Sequence, residues 1–218
     1  MSGSIYYNSY NSKLAGGGGI VLPFPLPGFD GGNGAVLRIR PGKNAELFVR
    51  MGTCTCCHSV SARGERLISA EITGLGTPVG GQVYSITPTT PANPSPSRAT
   101  ANAAFTGLSP DGKLYLASGA KDGVGPAIAG GLNPPNNDAR LIETDTGTVV
   151  SSSGVPTTAL MPTFSPDGSL IAFTDQAISG GKGVVLMDFD TNTRKASNAR
   201  TILTSSSYPG WPFVLPDN

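Results

Sequence analysis

"TGLSPDGKLYLASGA" at residues 106–120 and "PTFSPDGSLIAFTD" at residues 162–175 are two copies of one pattern. Each copy has a Ser-Pro-Asp-Gly turn, one polar residue, and then a run of apolar, aromatic and β-branched residues. In such a turn the proline presets φ, the aspartate side chain can bond to the backbone, and the glycine accepts positive φ without steric cost. The run that follows is typical of a half-buried strand. The pattern therefore predicts a β-hairpin in each copy.

The same pattern recurs at a regular interval along the chain. "HSVSARGERLISAEI" at residues 58–72 keeps the glycine but has Arg63 in place of the aspartate, and Pro216-Asp217-Asn218 begins a further copy. The positions of Gly64, Gly112, Gly168 and Asn218 are spaced by 48, 56 and 50 residues. A second strand-turn-strand signal follows each of the three earlier copies, so each unit has four predicted strands. A four-stranded unit at this spacing is a blade of a β-propeller.

The composition agrees with a protein built of short strands. The 218 residues include 30 glycines and 19 prolines, and only 13% are charged, which favours tight turns over helices. The net charge is +1 and no basic cluster stands out, so we expect no nucleic-acid partner. No apolar run approaches the roughly 20 residues that a bilayer needs, so we expect no membrane span.

We therefore predict an all-β fold, a partial β-propeller of four-stranded antiparallel blades. The predicted divisions are outer strands of a preceding blade with a Gly/Pro-rich loop (1–50), three blades (51–105, 106–161 and 162–208) and the start of a further blade (209–218). A propeller ring typically needs about four to eight blades. The sequence thus predicts part of a longer propeller.

The Ser-Pro-Asp-Gly copies resemble the repeats of the TolB-like propeller family, which is related to WD-repeat propellers. The resemblance implies a periplasmic, outer-membrane-associated or extracellular setting in bacteria, although the polar N-terminus shows no secretory signal. It also implies a binding role rather than catalysis. The long Pro/Gly/Asn-rich loops at 89–103 and 118–138 are expected on one rim, where they would bind a protein or glycan partner.

"CTCCH" at residues 54–58 contains every cysteine and the only histidine of the chain. Cys54, Cys57 and His58 match the attachment pattern of c-type haem, in which two thiols reach the porphyrin vinyl groups and the adjacent imidazole ligates the iron. This gives the alternative prediction of a c-type haem protein for electron transfer or sensing. The sixth haem ligand would then be an outside group, nothing, or a methionine (Met51, Met161 or Met187).

Other interpretations of the same five residues remain open. In an oxidising compartment a Cys54–Cys57 disulfide is sterically possible and leaves one odd thiol. Three cysteines and His58 are also zinc ligands, but four ligands within five residues give poor tetrahedral geometry. The cluster can also have no chemical role, because His58 leads into a predicted strand and not into the helix that carries this motif in cytochromes c.

The acidic residues of the repeats do not predict an active site. Asp111, Asp167 and Asp217 occupy one position of the repeated turn, and a catalytic group need not recur in every blade, so we expect them to cap turns. Asp188, Asp190 and Asn192 are spaced like part of a calcium loop, but the loop's glycine and glutamate are missing, which favours a hairpin turn. We therefore expect no enzymatic activity.

Overall fold

The computed structural model of the chain describes residues 3–9, 34–51, 54–72, 78–100, 104–118 and 138–215. Over these ranges the regular structure consists of fourteen β-strands, and no helix is long and apolar enough to cross a membrane. The strands are β1 (Ile5–Ser9), β2 (Ala35–Ile39), β3 (Glu46–Val49), β4 (Cys54–Val60), β5 (Arg66–Ile72), β6 (Pro78–Ser85), β7 (Arg98–Thr100), β8 (Phe105–Leu108), β9 (Leu114–Ser118), β10 (Arg140–Glu143), β11 (Ala159–Phe164), β12 (Leu170–Asp175), β13 (Gly183–Asp190) and β14 (Lys195–Thr204).

The strands form four separate antiparallel sheets in chain order. The first sheet is β1-β2-β3, the second β4-β5-β6-β7, the third β8-β9-β10 and the fourth β11-β12-β13-β14. In the third sheet an isolated bridge between Ile142 and Val149 marks the place that a fourth strand takes in the second and fourth sheets. These small sheets of neighbouring strands confirm the all-β prediction and its repeated antiparallel unit.

The first strands of successive sheets lie next to one another. β4 contacts β8, β8 contacts β11, and β1 and β2 both contact β4. Outer strands were expected within residues 1–50, whereas β1 takes the same position in its sheet that β4, β8 and β11 take in theirs. In the other three sheets the Ser-Pro-Asp-Gly-type turn marks the first hairpin in the sequence. Residues 1–50 contain no copy of this turn, so the sequence does not show where the first strand of that sheet lies.

The repeated turns have the geometry that their sequence predicts. The Asp111 carboxylate accepts a hydrogen bond from the Lys113 amide at 3.1 Å, and Asp167 accepts one from the Ser169 amide at 3.0 Å. The glycines after these aspartates have φ of 73° and 78°, and the glycine after Arg63 has φ of 68°. Turn capping by Asp111 and Asp167 is thus confirmed, while Asp217 lies outside the described residues.

The loop predictions have different outcomes. Within the predicted loop at 89–103, residues Arg98–Thr100 form the strand β7. This strand pairs with β6 and completes the second sheet. The rest of the described part, from Thr89 to Ser97, is turn and irregular structure. Most of the predicted loop at 118–138 lies outside the described residues.

Apolar side chains from neighbouring sheets fill the space between them. Val36 and Phe48 of the first sheet pack with Leu67 and Tyr84 of the second, and all four are almost fully buried. Similar clusters join the second sheet to the third and the third to the fourth. Each sheet therefore buries its faces against its neighbours, as the blades of a propeller do.

Candidate functional site

A cavity of about 570 Å³ lies along the first strands of the sheets. It is lined by residues 57–60 of β4, 105–108 of β8, 161–166 around β11 and 211–214 of the C-terminal segment, together with Tyr6, Ala62 and Pro110. We call it the inner cavity. It contains two of the three residues of the predicted haem site, Cys57 and His58.

Four side chains at the inner cavity occupy equivalent positions of the repeat. Cys57, Phe105 and Met161 each stand seven residues before the turn glycine, and Trp211 stands seven residues before Asn218, which replaces that glycine. Phe105 and Met161 are buried together with Cys57 against them. Trp211 meets Phe105 edge to face with ring centroids 5.9 Å apart, and its amide donates to the Met161 sulfur at 3.4 Å. The repeat thus brings four soft or aromatic side chains into one cluster.

The backbone is unusual at three of these four positions. Cys57, Met161 and Trp211 have φ of 48°, 51° and 48°, in the left-handed region that non-glycine residues rarely adopt. In β4 and β11 these residues fall within β-bulges, where the register shifts between Cys56 and Ser59 and between Leu160 and Thr163. A bulge redirects the side chains of a strand. Here it allows the neighbours Cys57 and His58 to line the same cavity, although a regular strand would point them to opposite faces.

His58 connects the second sheet to the first. Its Nδ1 lies 3.0 Å from the Asn8 side-chain oxygen, and the ring also interacts with the Tyr6 backbone. Burial lowers the pKa of His58, and the hydrogen bond with the Tyr6 backbone opposes this shift only in part. The imidazole is therefore neutral at pH 7. With Nδ1 donating its proton to Asn8, the lone pair is on Nε2.

Cys57 has a free thiol. This does not match the Cys54–Cys57 disulfide among the alternatives. The side chains of Cys54 and Cys56 lie outside the description, so the zinc interpretation stays untested; the described side chains contain no cluster of three or more potential metal ligands among His, Cys, Asp and Glu. Of the three methionines proposed as sixth haem ligand, Met161 shares the inner cavity with Cys57 and His58, whereas Met51 and Met187 do not line it.

Several acidic residues of the described chain are engaged in turns and ion pairs. Asp188 accepts hydrogen bonds from Asn198 and Arg200, both at 2.8 Å, and Asp190 accepts one from the Asn192 amide at 2.8 Å. These contacts confirm a hairpin turn rather than a calcium loop. Glu143 pairs with Arg194 across the third and fourth sheets.

Sequence reasoning missed several residues of the inner cavity. Tyr6, Phe105 and Phe213 line it, but none belongs to a recognised motif. Trp211, near Phe213 in the sequence region that follows β14, packs against Phe105 of β8. Phe105 and Met161 lie seven residues before the turn glycines Gly112 and Gly168, and Trp211 lies seven residues before Asn218 at the equivalent position. That signal was present in the sequence.

Comparison with known proteins supports the fold. Neither a protein-family model nor a curated protein matches the sequence. TolB from Acinetobacter baumannii matches with a TM-score of 0.55 and 13% identity over 84% of this chain and 41% of that one. A protein assigned as TolB from Agrobacterium tumefaciens matches with a TM-score of 0.55 and 19% identity over 85% and 61%.

A functionally unknown protein from Desulfotomaculum acetoxidans is also similar, with a TM-score of 0.51 and 15% identity over 84% of this chain and 53% of that one. The chain thus spans between 41% and 61% of the length of these three structures. At such low identity the likeness concerns the arrangement of the strands. Together with the repeated sheets, it shows that this chain has the β-propeller fold of the TolB structures.

Proposed function

We propose that this protein is a non-catalytic β-propeller scaffold that binds a protein or glycan partner in the bacterial envelope or outside the cell. The observation that carries the proposal is a run of exposed apolar side chains at residues 208–215, which we call the exposed segment. Tyr208, Trp211, Phe213 and Leu215 are 48%, 58%, 80% and 66% exposed. Contiguous exposed apolar side chains mark interaction surfaces, and tyrosine and tryptophan are enriched at their centres.

The position of the exposed segment supports the same role. The Thr174 hydroxyl donates to the Pro209 carbonyl at 2.7 Å, and Trp211 contacts Phe105 and Met161. One side of the segment is therefore fixed to the propeller, while Phe213 and Leu215 remain exposed. A fixed apolar surface binds a partner at a lower entropic cost than a mobile one.

The engagement of the acidic side chains supports a role without catalysis. A general acid or base needs a carboxylate or imidazole that can reach a substrate proton. In the described chain Asp111 and Asp167 cap turns, Glu143 and Asp188 pair with arginines, and His58 bonds to Asn8. These groups hold the structure together.

Partner capture with matched variants tests the proposal. The full chain is immobilised and exposed to a bacterial envelope fraction and, separately, to a glycan array. Phe213→Ser and Leu215→Ser should each reduce capture at least about fivefold, because interface energy concentrates in few apolar anchors. Val149→Ser is the control, since Val149 is 46% exposed on the third sheet, away from the exposed segment. Capture that is equal in all variants, or a turnover assay that succeeds where capture fails, contradicts the proposal.

A c-type haem protein is the second candidate function. It is favoured by one observation: Cys57 and His58 line the same cavity, beside Phe105, Trp211 and Met161. Cys57 would form a thioether bond, and the neutral His58 would offer its Nε2 lone pair to the iron. A metal-bound histidine usually donates its other ring N–H to an oxygen acceptor, as Nδ1 does here to Asn8. The haem would supply one-electron redox chemistry.

Production in a host with cytochrome c maturation tests this candidate. The wild-type chain should then give a pyridine haemochrome spectrum, and Cys57→Ser should lose one of the two thioether bonds. Cys56→Ser is the matched control, because Cys56 is the extra cysteine of the cluster and does not belong to the Cys-x-x-Cys-His pattern. Wild-type protein without absorption in the haem bands rejects the candidate.

A further inference from the structure

The lining of the inner cavity has no formal charge. No aspartate, glutamate, lysine or arginine of the described chain lines it. Tyr6, Cys57 and His58 are the lining residues with an ionisable group, and none of them is an acidic carboxyl, an ammonium or a guanidinium. A charged group that enters such a site loses part of its hydration and meets no counter-charge, which disfavours its binding. The inner cavity therefore selects against ions.

Four of the five hydroxyl side chains of the lining already bond within the chain. Thr106 donates to the Cys57 carbonyl at 2.9 Å, and Ser59 accepts from the Leu108 amide at 3.0 Å. Ser165 bonds to Asp167 and Thr163 bonds to the Phe164 carbonyl, and the fifth hydroxyl is that of Tyr6. A sugar or a polypeptide backbone brings many donors and acceptors that need partners when they are buried. The lining has few such partners left to offer.

The remaining lining is apolar and aromatic. Phe105, Met161, Trp211 and Phe213 lie in one part of the cavity, with four prolines around them (Pro110, Pro162, Pro166 and Pro212). The ring faces of Phe105 and Trp211 are arranged at 79° to each other, which leaves them able to contact a flat molecule by face or edge. The volume of about 570 Å³ lies within the range of roughly 300–1,000 Å³ found for small-molecule sites.

We propose that the inner cavity binds an uncharged, largely aromatic small molecule. This ligand is distinct from the partner of the exposed segment. Trp211 and Phe213 belong to both surfaces, so Leu215→Ser, which changes the exposed segment but not the cavity lining, distinguishes a failure of partner capture from a failure of probe binding. A small aromatic molecule fits all three properties of the site: it needs no counter-charge, it has few polar groups to satisfy, and it packs on aromatic and thioether side chains.

Two fluorescent probes that differ by one charge test the proposal. N-phenyl-1-naphthylamine is neutral, and 8-anilinonaphthalene-1-sulfonate is its sulfonated relative. Both accept energy from tryptophan, and Trp211 is the only tryptophan of the chain. The full chain is made without cytochrome c maturation so that no haem competes for the cavity. We expect the neutral probe to bind with quenching of Trp211, and the sulfonate to bind at least about tenfold more weakly.

Three variants assign this binding to the inner cavity. Phe213→Ala removes an exposed lining ring without disturbing the core and should weaken the neutral probe about tenfold. Thr163→Lys places a cation in the lining and should reverse the preference in favour of the sulfonate. Leu203→Ala is the control, because Leu203 is an exposed apolar residue of β14 that does not line the cavity.

Three results would overturn the proposal. The first is equal affinity for both probes, and the second is binding that Phe213→Ala leaves unchanged. The third concerns competition for the cavity. If a neutral oligosaccharide or an apolar peptide displaces the neutral probe at a lower concentration than naphthalene, a small aromatic molecule, is needed to displace it, the proposal is wrong. If the circular dichroism of Thr163→Lys shows that it does not fold, the affinities of Phe213→Ala and Leu203→Ala for the neutral probe still test whether the probe binds in the inner cavity.

Discussion

Gly107 lies at a close approach between two sheets, and replacing it with alanine should destabilise the protein measurably. A Cβ atom at Gly107 of β8 would stand 2.4 Å from the Pro162 carbonyl oxygen of β11, and 3.2 Å from the Thr163 Cα. Ordinary contacts of a Cβ atom lie at 3.4–4 Å, so the two strands would have to separate by about 1 Å. Both obstacles are backbone atoms, which cannot rotate away as a flexible side chain can.

The cost follows from this geometry. Inserting a methyl group into a well-packed interface typically costs about 1–3 kcal/mol, and the upper half of that range applies when the backbone must move. For a chain of this size each kcal/mol lowers Tm by roughly 2–4 °C, so Gly107→Ala should lower Tm by roughly 4–12 °C. Differential scanning calorimetry measures the change in Tm, and urea unfolding measures the change in the free energy of unfolding.

Gly3→Ala is the matched control for this substitution. A Cβ atom at Gly3 would meet no atom within 4 Å, so its Tm should stay within about 1–2 °C of the wild type. If Gly107→Ala is as stable as Gly3→Ala, the close approach of β8 and β11 is wrong.

Three further predictions concern single side chains. Hydrogen bonds from Ser165 and Ser169 lower the pKa of Asp167 to about 2, below the usual value of 3.8, so its carboxylate stabilises the fold above pH 4 and this contribution is lost as the pH falls toward 2. The Tm difference between wild type and Asp167→Asn should therefore be constant near neutral pH and shrink between pH 4 and pH 2; a difference that grows on acidification would contradict it. Thr174→Val removes the hydrogen bond to the Pro209 carbonyl, which should lower the free energy of unfolding by about 1 kcal/mol and shift the emission of Trp211 to longer wavelength. Thr201→Val, at an exposed position of β14, is the control and should change neither the stability nor the emission. Arg38 is fully buried, pairs with Glu46 at 2.7 Å and lies 4.4 Å above the Phe48 ring; Arg38→Gln should lower the free energy of unfolding by about 2–4 kcal/mol, and an unchanged urea midpoint would refute this role.

The hairpins could be predicted from the sequence because local chemistry determines them. The proline, aspartate and glycine of each turn act within four residues, and the structure shows the same bonds at Asp111 and Asp167. In the first copy Arg63 stands in place of the aspartate, so this turn has no carboxylate to accept a backbone amide. There the Ser61 hydroxyl accepts the Glu65 amide instead. It also accepts the Arg66 amide, as the equivalent serines of the other two turns accept the amides of Leu114 and Leu170.

The candidate site was only partly predictable. Cys57 and His58 drew attention because their types are rare and their spacing is known. Their placement in one cavity depends on a bulge in β4, and the left-handed φ of Cys57 is a conformation that no local propensity favours. Trp211 of the C-terminal segment meets Phe105 of β8, and a contact of this kind depends on tertiary packing rather than on neighbours in sequence.

The order in which the sheets touch has a mechanical consequence. The four sheets follow one another in space as they do along the chain. Three of the apolar clusters each join two adjacent sheets, while the cluster that includes Phe105 and Met161 spans the second, third and fourth sheets. Tension applied to the two termini should therefore peel the assembly away one sheet after another, starting from an end, instead of rupturing it all at once. A force-extension trace would then show a series of steps, each releasing about fifty residues.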